Sequence, residues 1–425
     1  MVVLLGCAFS TAGLAEEGSE TDWSQRSQAL RQRMRQVLGF PANRIDLAAE
    51  THRSLQGDGY GIESVTYASE PNSRVTALLY LPADRAKRAP AVIVACGHGG
   101  SKSCLYAQYA GQLYAKMGFA CLAIDTIGEE EREKDGRIGA RGHDLYHLKD
   151  KNPEFVKTQL KRLVLGKIVW DLIRGIDYLE TRSEVDAKRI GIVGYSLGGT
   201  SAGCVANLDN RVRAAVICGW VFSPRYTVYG KYCTRMPYQA FSEFMGFDEM
   251  TALVAPHCAT LFYCGDRDDV IDADEKGAAV VPDLEVNIPT ALSILKQGGI
   301  PGTIELLIAP DASHRPLFLS RPAVLWLQEH LMEMEERIAV PEKTVRFGDW
   351  VDSQGQKIED LYNTEEKERG LDAVDIEAIY RTPEELACFP EKAKPDPAYT
   401  MEGWVNATVE ANKEKPALAY PKEGN

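Results

Sequence analysis

One serine of the sequence sits where a hydroxyl can become a nucleophile. It lies in Gly194-Tyr195-Ser196-Leu197-Gly198-Gly199, a G-x-S-x-G pattern. The apolar run RIGIVG precedes it, and small helix-forming residues follow. A serine on so tight a strand-to-helix turn is held in strained backbone geometry that lifts its hydroxyl clear of the sheet. Glycines two positions to either side leave room where side chains would collide, and the start of a helix favours negative charge nearby. Ser196 is the expected nucleophile.

A neutral hydroxyl needs a base, and the base needs an orienting acid. For a serine on such a turn the chain order is serine, acid, histidine. Of the seven histidines, His52, His98, His143 and His147 precede Ser196. His257 precedes the acidic cluster and His330 falls in the last helical pattern. His314 remains, in a loop directly after the last apolar strand-like run. The acid is sought in Cys264-Gly265-Asp266-Arg267-Asp268-Asp269, at the end of another such run. Asp268 lies beyond the turn and is the first candidate, with Asp269 and Asp266 as alternatives. Attack on a carbonyl also creates an oxyanion, which needs backbone N–H donors. One is expected from Leu197. The other is expected from Cys96-Gly97-His98-Gly99-Gly100, as His98 or Gly99, because glycines let the backbone approach a substrate.

These residues need a scaffold. Ile62–Ala68 and Val75–Leu81 read as an antiparallel hairpin. Strand and helix patterns then alternate: strands at 91–96, 119–124, 190–193, 214–218, 260–263 and 304–308, and helices at 104–117, 163–179, 197–208, 289–296 and 322–335. That alternation predicts an α/β fold with a mostly parallel central sheet and helices on both faces. Loops after the strands gather at one end of such a sheet, where sites are built. Residues 1–15 read as an export signal, 16–60 as an N-terminal helical extension and 61–338 as the catalytic domain. Residues 339–425 read as a polar, peripheral or partly flexible extension. Two segments interrupt the alternation: the charged residues 126–160, and the aromatic, Met-rich residues 221–256. The second is either a pocket wall or an ordinary helical excursion.

Bulk properties exclude some functions. The formal net charge is −13, so a nucleic-acid partner is not expected. No apolar run is long enough to span a membrane. The first residues, MVVLLGCAFSTAGLA, resemble the apolar core and cleavage site of an export signal without its basic start. Leu4-Leu5-Gly6-Cys7 also resembles a lipid-attachment motif. Periplasmic, secreted or lipid-anchored placement is therefore expected, with the cytoplasm as the alternative. Ten cysteines show no zinc-binding spacing. His143 and His147 stand four apart and could share a metal on a helix, but the glutamate of H-E-x-x-H is missing. Neither metal nor organic cofactor is expected.

With these residues placed, the chain resembles the α/β-hydrolase superfamily over roughly residues 30–335. Within it the resemblance is to acetyl xylan esterase-like and dienelactone hydrolase-like enzymes. It rests on GHGG at 97–100, Asp125-Thr126-Ile127-Gly128 with Glu131-Arg132, WDLIRGIDYL at 170–179, VDAKRIGIVGYSLGG at 185–199, GDRDDV at 265–270 and SHRP at 313–316. The resemblance implies cofactor-free ester hydrolysis, often of acetyl groups on plant polysaccharides. Two departures stand out. Glu130 occupies the second glycine of the relatives' Gly-x-Gly-Glu-Arg, and Ser196 stands where dienelactone hydrolases have cysteine. Rival readings are a serine peptidase of the prolyl-oligopeptidase type, an acyltransferase, and a carbohydrate-binding or scaffold protein with an inactive hydrolase core.

Overall fold

The computed structural model describes residues 23–84, 87–139, 154–219, 238–268, 280–312, 314–346, 372–389 and 396–412. Residues 1–22, with the expected export signal and Cys7, lie outside them. So do His143, His147, Asp269 and residues 221–237 of the aromatic segment.

Among the described residues, nine strands form one sheet in the order β1-β2-β3-β5-β4-β6-β7-β8-β9. Helix α1 (Trp23–Leu38) leads in, followed by β1 (Glu50–Gly57), β2 (Tyr60–Glu70), β3 (Ser73–Pro82) and β4 (Ala89–Ala95). Then come α2 (Leu105–Lys116), β5 (Ala120–Ile124), α3 (Glu154–Glu180), β6 (Val185–Tyr195), α4 (Leu197–Leu208) and β7 (Val212–Cys218). The short helices α5 (Tyr238–Ser242) and α6 (Phe247–Ala252) precede β8 (Ala259–Gly265), α7 (Val280–Gln297), β9 (Ile304–Ala309) and α8 (Arg321–Leu331). Strands β1, β2, β3 and β5 pair antiparallel. Strands β5, β4, β6, β7, β8 and β9 pair parallel.

The central strands are buried on both faces, which is why they read as nearly continuous apolar runs. Neighbouring residues serve opposite layers, as the strand period of two requires. Leu79, Ile93 and Ile192 face the layer containing α1, α3, α4 and α7. Leu78, Val94 and Val193 face the layer containing α2 and α8. Strand order reverses between β4 and β6: β5 is paired on one side of β4, and β6 on the other. Loops leaving the carboxyl ends of two such strands diverge and open a crevice. The loop starting at Cys96 and the turn at Ser196 flank it.

Two expectations are corrected. Residues 16–60 are not helical throughout, because Glu50–Gly57 adds a strand to the sheet. This is a polar edge strand, so no apolar period announces it. Nor are the described parts of 339–425 peripheral. Strands β10 (Thr344–Arg346) and β11 (Asp372–Val374) form a small antiparallel pair, followed by helices α9 (Pro383–Leu386) and α10 (Met401–Asn412). Ala373, Val374, Ile376 and Leu386 are buried in the α2–α8 layer. Met401, Trp404 and Val405 join the opposite layer. Apolar residues scattered singly and in pairs do this, and no period marks them in the sequence.

Candidate active site

Ser196 sits between β6 and α4 with φ 60° and ψ −122°, a left-handed conformation for a residue with a side chain. Holding it there costs about 1–3 kcal/mol, which the surrounding structure must supply. The glycines make the turn possible. A Cβ on Gly194 would stand 2.1 Å from the Gly198 carbonyl oxygen, and one on Gly198 would stand 2.0 Å from that of Ala95. The Ser196 N–H donates to the Cys218 carbonyl at 3.1 Å, so β7 also secures the turn.

The imidazole expected as base meets the expected acid. His314 Nδ1 lies 2.9 Å from both carboxylate oxygens of Asp268, and the pair is almost wholly buried. Main-chain bonds join the two loops that carry them: Asp266 N–H donates to the Ala309 carbonyl and Arg267 N–H to that of Ala312, both at 3.0 Å. Asp266 itself is exposed, whereas Asp268 is the aspartate that meets His314. The Tyr195 ring packs on His314 with centroids 4.8 Å apart. It also meets Tyr106 edge-on at 5.9 Å. His314 Nε2 is buried and has no hydrogen-bond partner among the described residues. An imidazole fixed through Nδ1 by a carboxylate presents Nε2 as the proton acceptor. Sequence reasoning missed Gly219, which directly follows β7 with φ +54°. A Cβ there would stand 2.9 Å from the His314 ring and 3.0 Å from Asp268 Oδ2. No motif flags it, because it is a lone glycine beyond a strand.

The glycine loop after β4 lies against the turn. A Cβ on Gly97 would stand 3.0 Å from the Tyr195 carbonyl oxygen. The Gly97 N–H donates to the Tyr106 hydroxyl at 2.8 Å. Gly99 adopts φ +71°. His98 and Gly99, the expected second oxyanion donors, thus lie on a loop that passes beside the Ser196 turn.

Just beyond this loop is a buried ionic cluster that the sequence reading did not find. Lys102 is fully buried. Its Nζ donates to Asp125 at 2.8 Å, to Glu130, and lies 2.9 Å from Glu131 Oε2. Its backbone N–H donates to Asp125 Oδ1 at 2.8 Å. Ser103 donates to Glu130 through both its hydroxyl and its N–H. Thr76 Oγ1 completes the shell of Asp125 at 2.6 Å. Ligand-capable oxygens of Asp125, Glu130 and Glu131 lie within 4.8 Å of one another. The ammonium is the cation they surround. Burial alone would discharge Lys102, but the three carboxylates outweigh it and hold its pKa well above the ordinary lysine value.

Glu130, the residue standing in place of a glycine, adopts φ 45°. That conformation costs a residue with a side chain about 1–2 kcal/mol. Its carboxylate bonds to Lys102 and Ser103 offset the strain. Glu131 reaches the other way, accepting the N–H groups of Cys388 at 3.0 Å and Phe389 at 2.9 Å. Arg132, also fully buried, bridges the Asp125 carbonyl at 3.0 Å and Asp171 of α3 at 2.8 Å.

The described cysteines Cys96, Cys104, Cys121, Cys204, Cys218, Cys258, Cys264 and Cys388 are buried and form no disulfide with one another.

A sheet reversing its order between β4 and β6, with serine after β6, aspartate after β8 and histidine after β9, is the α/β-hydrolase fold. Residues 48–264 match the acetyl xylan esterase family, and the chain belongs to that family. Among curated proteins it is similar to YtaP of Bacillus subtilis (strain 168), 27% identical over 206 residues, 45% of this chain and 64% of that one. It is also similar to YcjY of Escherichia coli (strain K12), 28% identical over 182 residues, 41% of this chain and 52% of that one. The matched region thus spans less than two thirds of either relative. Among solved structures, Methylesterase BT1017 superposes with a TM-score of 0.61 at 18% identity, covering 92% of this chain and 75% of the other. A promiscuous CE15 esterase from a marine bacterial metagenome superposes with a TM-score of 0.51 at 15% identity, covering 75% and 94%. At such identities the superpositions speak for the fold.

Proposed function

We propose that this protein hydrolyses carboxylic esters through Ser196, His314 and Asp268, acting on acetyl or other short-acyl groups, including those carried by polysaccharides. The observation that carries the reading is the His314–Asp268 pair beside the strained Ser196 turn. His314 Nε2 takes the hydroxyl proton as Ser196 Oγ attacks the ester carbonyl. Asp268 stabilises the imidazolium that forms. Backbone N–H groups of Leu197 and of His98 or Gly99 receive the oxyanion, each worth about 3 kcal/mol in the transition state. His314 then protonates the departing alcohol. Water, deprotonated by the same nitrogen, releases the acid from the acyl-enzyme. Family membership supports the ester chemistry, and the methylesterase and CE15 esterase neighbours are compatible with it.

The catalytic unit proposed for residues 61–338 draws on both flanks, taking β1 from before it and residues 372–389 from after it. Residues 1–15 are proposed to direct export, which N-terminal sequencing of the mature protein would test. No helix among the described residues is long and apolar enough to cross a membrane.

Ser196→Ala should lower p-nitrophenyl acetate turnover by several orders of magnitude while circular dichroism and melting temperature stay at wild-type values. Undiminished turnover in that variant would sink the proposal. Acetylated xylan, methyl-esterified uronates and a prolyl peptide, compared by kcat/KM, rank the substrates. A peptide in first place would favour the peptidase reading.

A further inference from the structure

We propose that Lys102 is a positioning residue for the oxyanion-binding loop, and that Glu130 and Glu131 are its anchors. The inference rests on the ester-hydrolase reading above and names what holds one half of that site in place. Lys102 and Ser103 follow the loop of Gly97, His98, Gly99 and Gly100 after one residue, Ser101. Four hydrogen bonds at these two residues run to Asp125 and Glu130: the Lys102 N–H and Nζ to Asp125, and the Ser103 N–H and Oγ to Glu130. A fifth runs from Lys102 Nζ to Glu130. The loop is therefore fixed by main chain and side chain together. Its other end is the Gly97–Tyr106 bond.

The means of fixing it are costly. A buried ammonium among three carboxylates must be desolvated with all its partners, and an apolar side chain of similar volume often serves stability as well or better. Glu130 adds backbone strain at a position that suits glycine. Cost in two currencies at one place, beside the proposed oxyanion donors, points to geometry as what is gained. Donors aimed at an oxyanion act through pre-set position, and small displacements lose most of their effect. Glu131 extends the anchoring to the distal chain, because its carboxylate holds the Cys388 and Phe389 amides as well as Lys102.

Two variants test this. Lys102→Met removes the cation at nearly constant volume. Glu130→Gly removes an anchor while relieving the positive-φ strain, and it leaves Lys102 with Asp125 and Glu131 as partners. Steady-state kinetics on p-nitrophenyl acetate are measured for both, with hydrogen–deuterium exchange over residues 97–101. The expected result is a fall in kcat of about 100-fold for K102M and about 10-fold for E130G, with KM within threefold of wild type. Exchange should rise in residues 97–101 without a general rise elsewhere. Wild-type kcat in E130G together with unchanged exchange overturns the proposal, whether or not K102M folds. So does a loss of kcat that merely follows a chain-wide rise in exchange. Ser196→Ala, run alongside, separates the two ideas. If it keeps full activity, the ester-hydrolase reading has failed. If it is dead while E130G is wild type, only the positioning role has failed.

Discussion

A single methyl group decides whether His314 can stay where it is. At Gly219 a Cβ would stand 2.9 Å from the imidazole and 3.0 Å from Asp268 Oδ2, and the backbone there has φ +54°. Gly219→Ala should displace the histidine and strain the turn, lowering kcat by about 10- to 100-fold with about 1 kcal/mol lost in stability. Steady-state kinetics and urea denaturation on one preparation check both. Asp268→Asn should be more severe for turnover: it keeps the shape but no longer fixes the tautomer, and a fall of about 10⁴-fold is expected. Wild-type turnover in that variant would disqualify Asp268 as the orienting acid. At this scale the sequence was informative where order and context constrained the choice. Ser196, Asp268 and His314 each follow an apolar strand run, and the fold's chain order sorted seven histidines. It was silent on Gly219 and Lys102, because a lone glycine and a lone lysine have no context until strands from distant parts of the chain meet.

The elements show the same division. Central parallel strands were legible because burial on both faces makes them continuous apolar runs. Strand β1 was not, since it is mostly exposed and reads ETHRSLQG. Helix α7 begins nine residues before the start its sequence suggests, because Pro289 looks like a first-turn proline yet lies inside the helix. Helix α1 was foreseen, but not its task. Arg31 donates to the Asn207 carbonyl at 2.8 Å and Arg35 to that of Leu208 at 2.5 Å, at the last turn of α4. Arg31 also bonds the Leu253 and Ala255 carbonyls. Cations at a helix C-terminus satisfy orphan carbonyls and oppose the negative end of its dipole. Arg31→Ala should therefore cost about 2 kcal/mol, as charged hydrogen bonds do. The urea midpoint should fall with the slope unchanged. An unshifted midpoint would mean that α4 needs no support from α1.

For the whole molecule, the ionic cluster sets how stability follows pH. Burial opposes ionisation of Glu131, yet Lys102 and the Cys388 and Phe389 amides outweigh it and hold its pKa below the usual range. Burial likewise opposes Asp171, and Arg132 and Lys167 outweigh it. Groups lowered in the folded state stabilise it above their unfolded values, near pH 4, and lose that contribution as pH falls further. Asp125 goes the other way: burial, then Glu130, push it up to about 7. A carboxyl raised in this way favours the fold when protonated, so its contribution fades as pH rises from about 4 to about 7. The melting temperature should therefore peak on the acidic side of neutrality and decline in both directions. Asp125→Asn should flatten the decline towards pH 7. A profile unchanged by that substitution would show that Asp125 does not titrate in this window.

Glu131 and Cys388 are separated by 257 residues of chain. A ribosome releases the glycine loop, the serine turn and the histidine well before the segment whose amides grip Glu131. A nascent chain can thus build its sheet before the amides that hold Glu131 emerge, and the proposed anchoring of the glycine loop is complete only once they have docked. Newly made enzyme should gain turnover later than it gains protease resistance, and a tag or nick near Phe389 should keep the early, idle species in place.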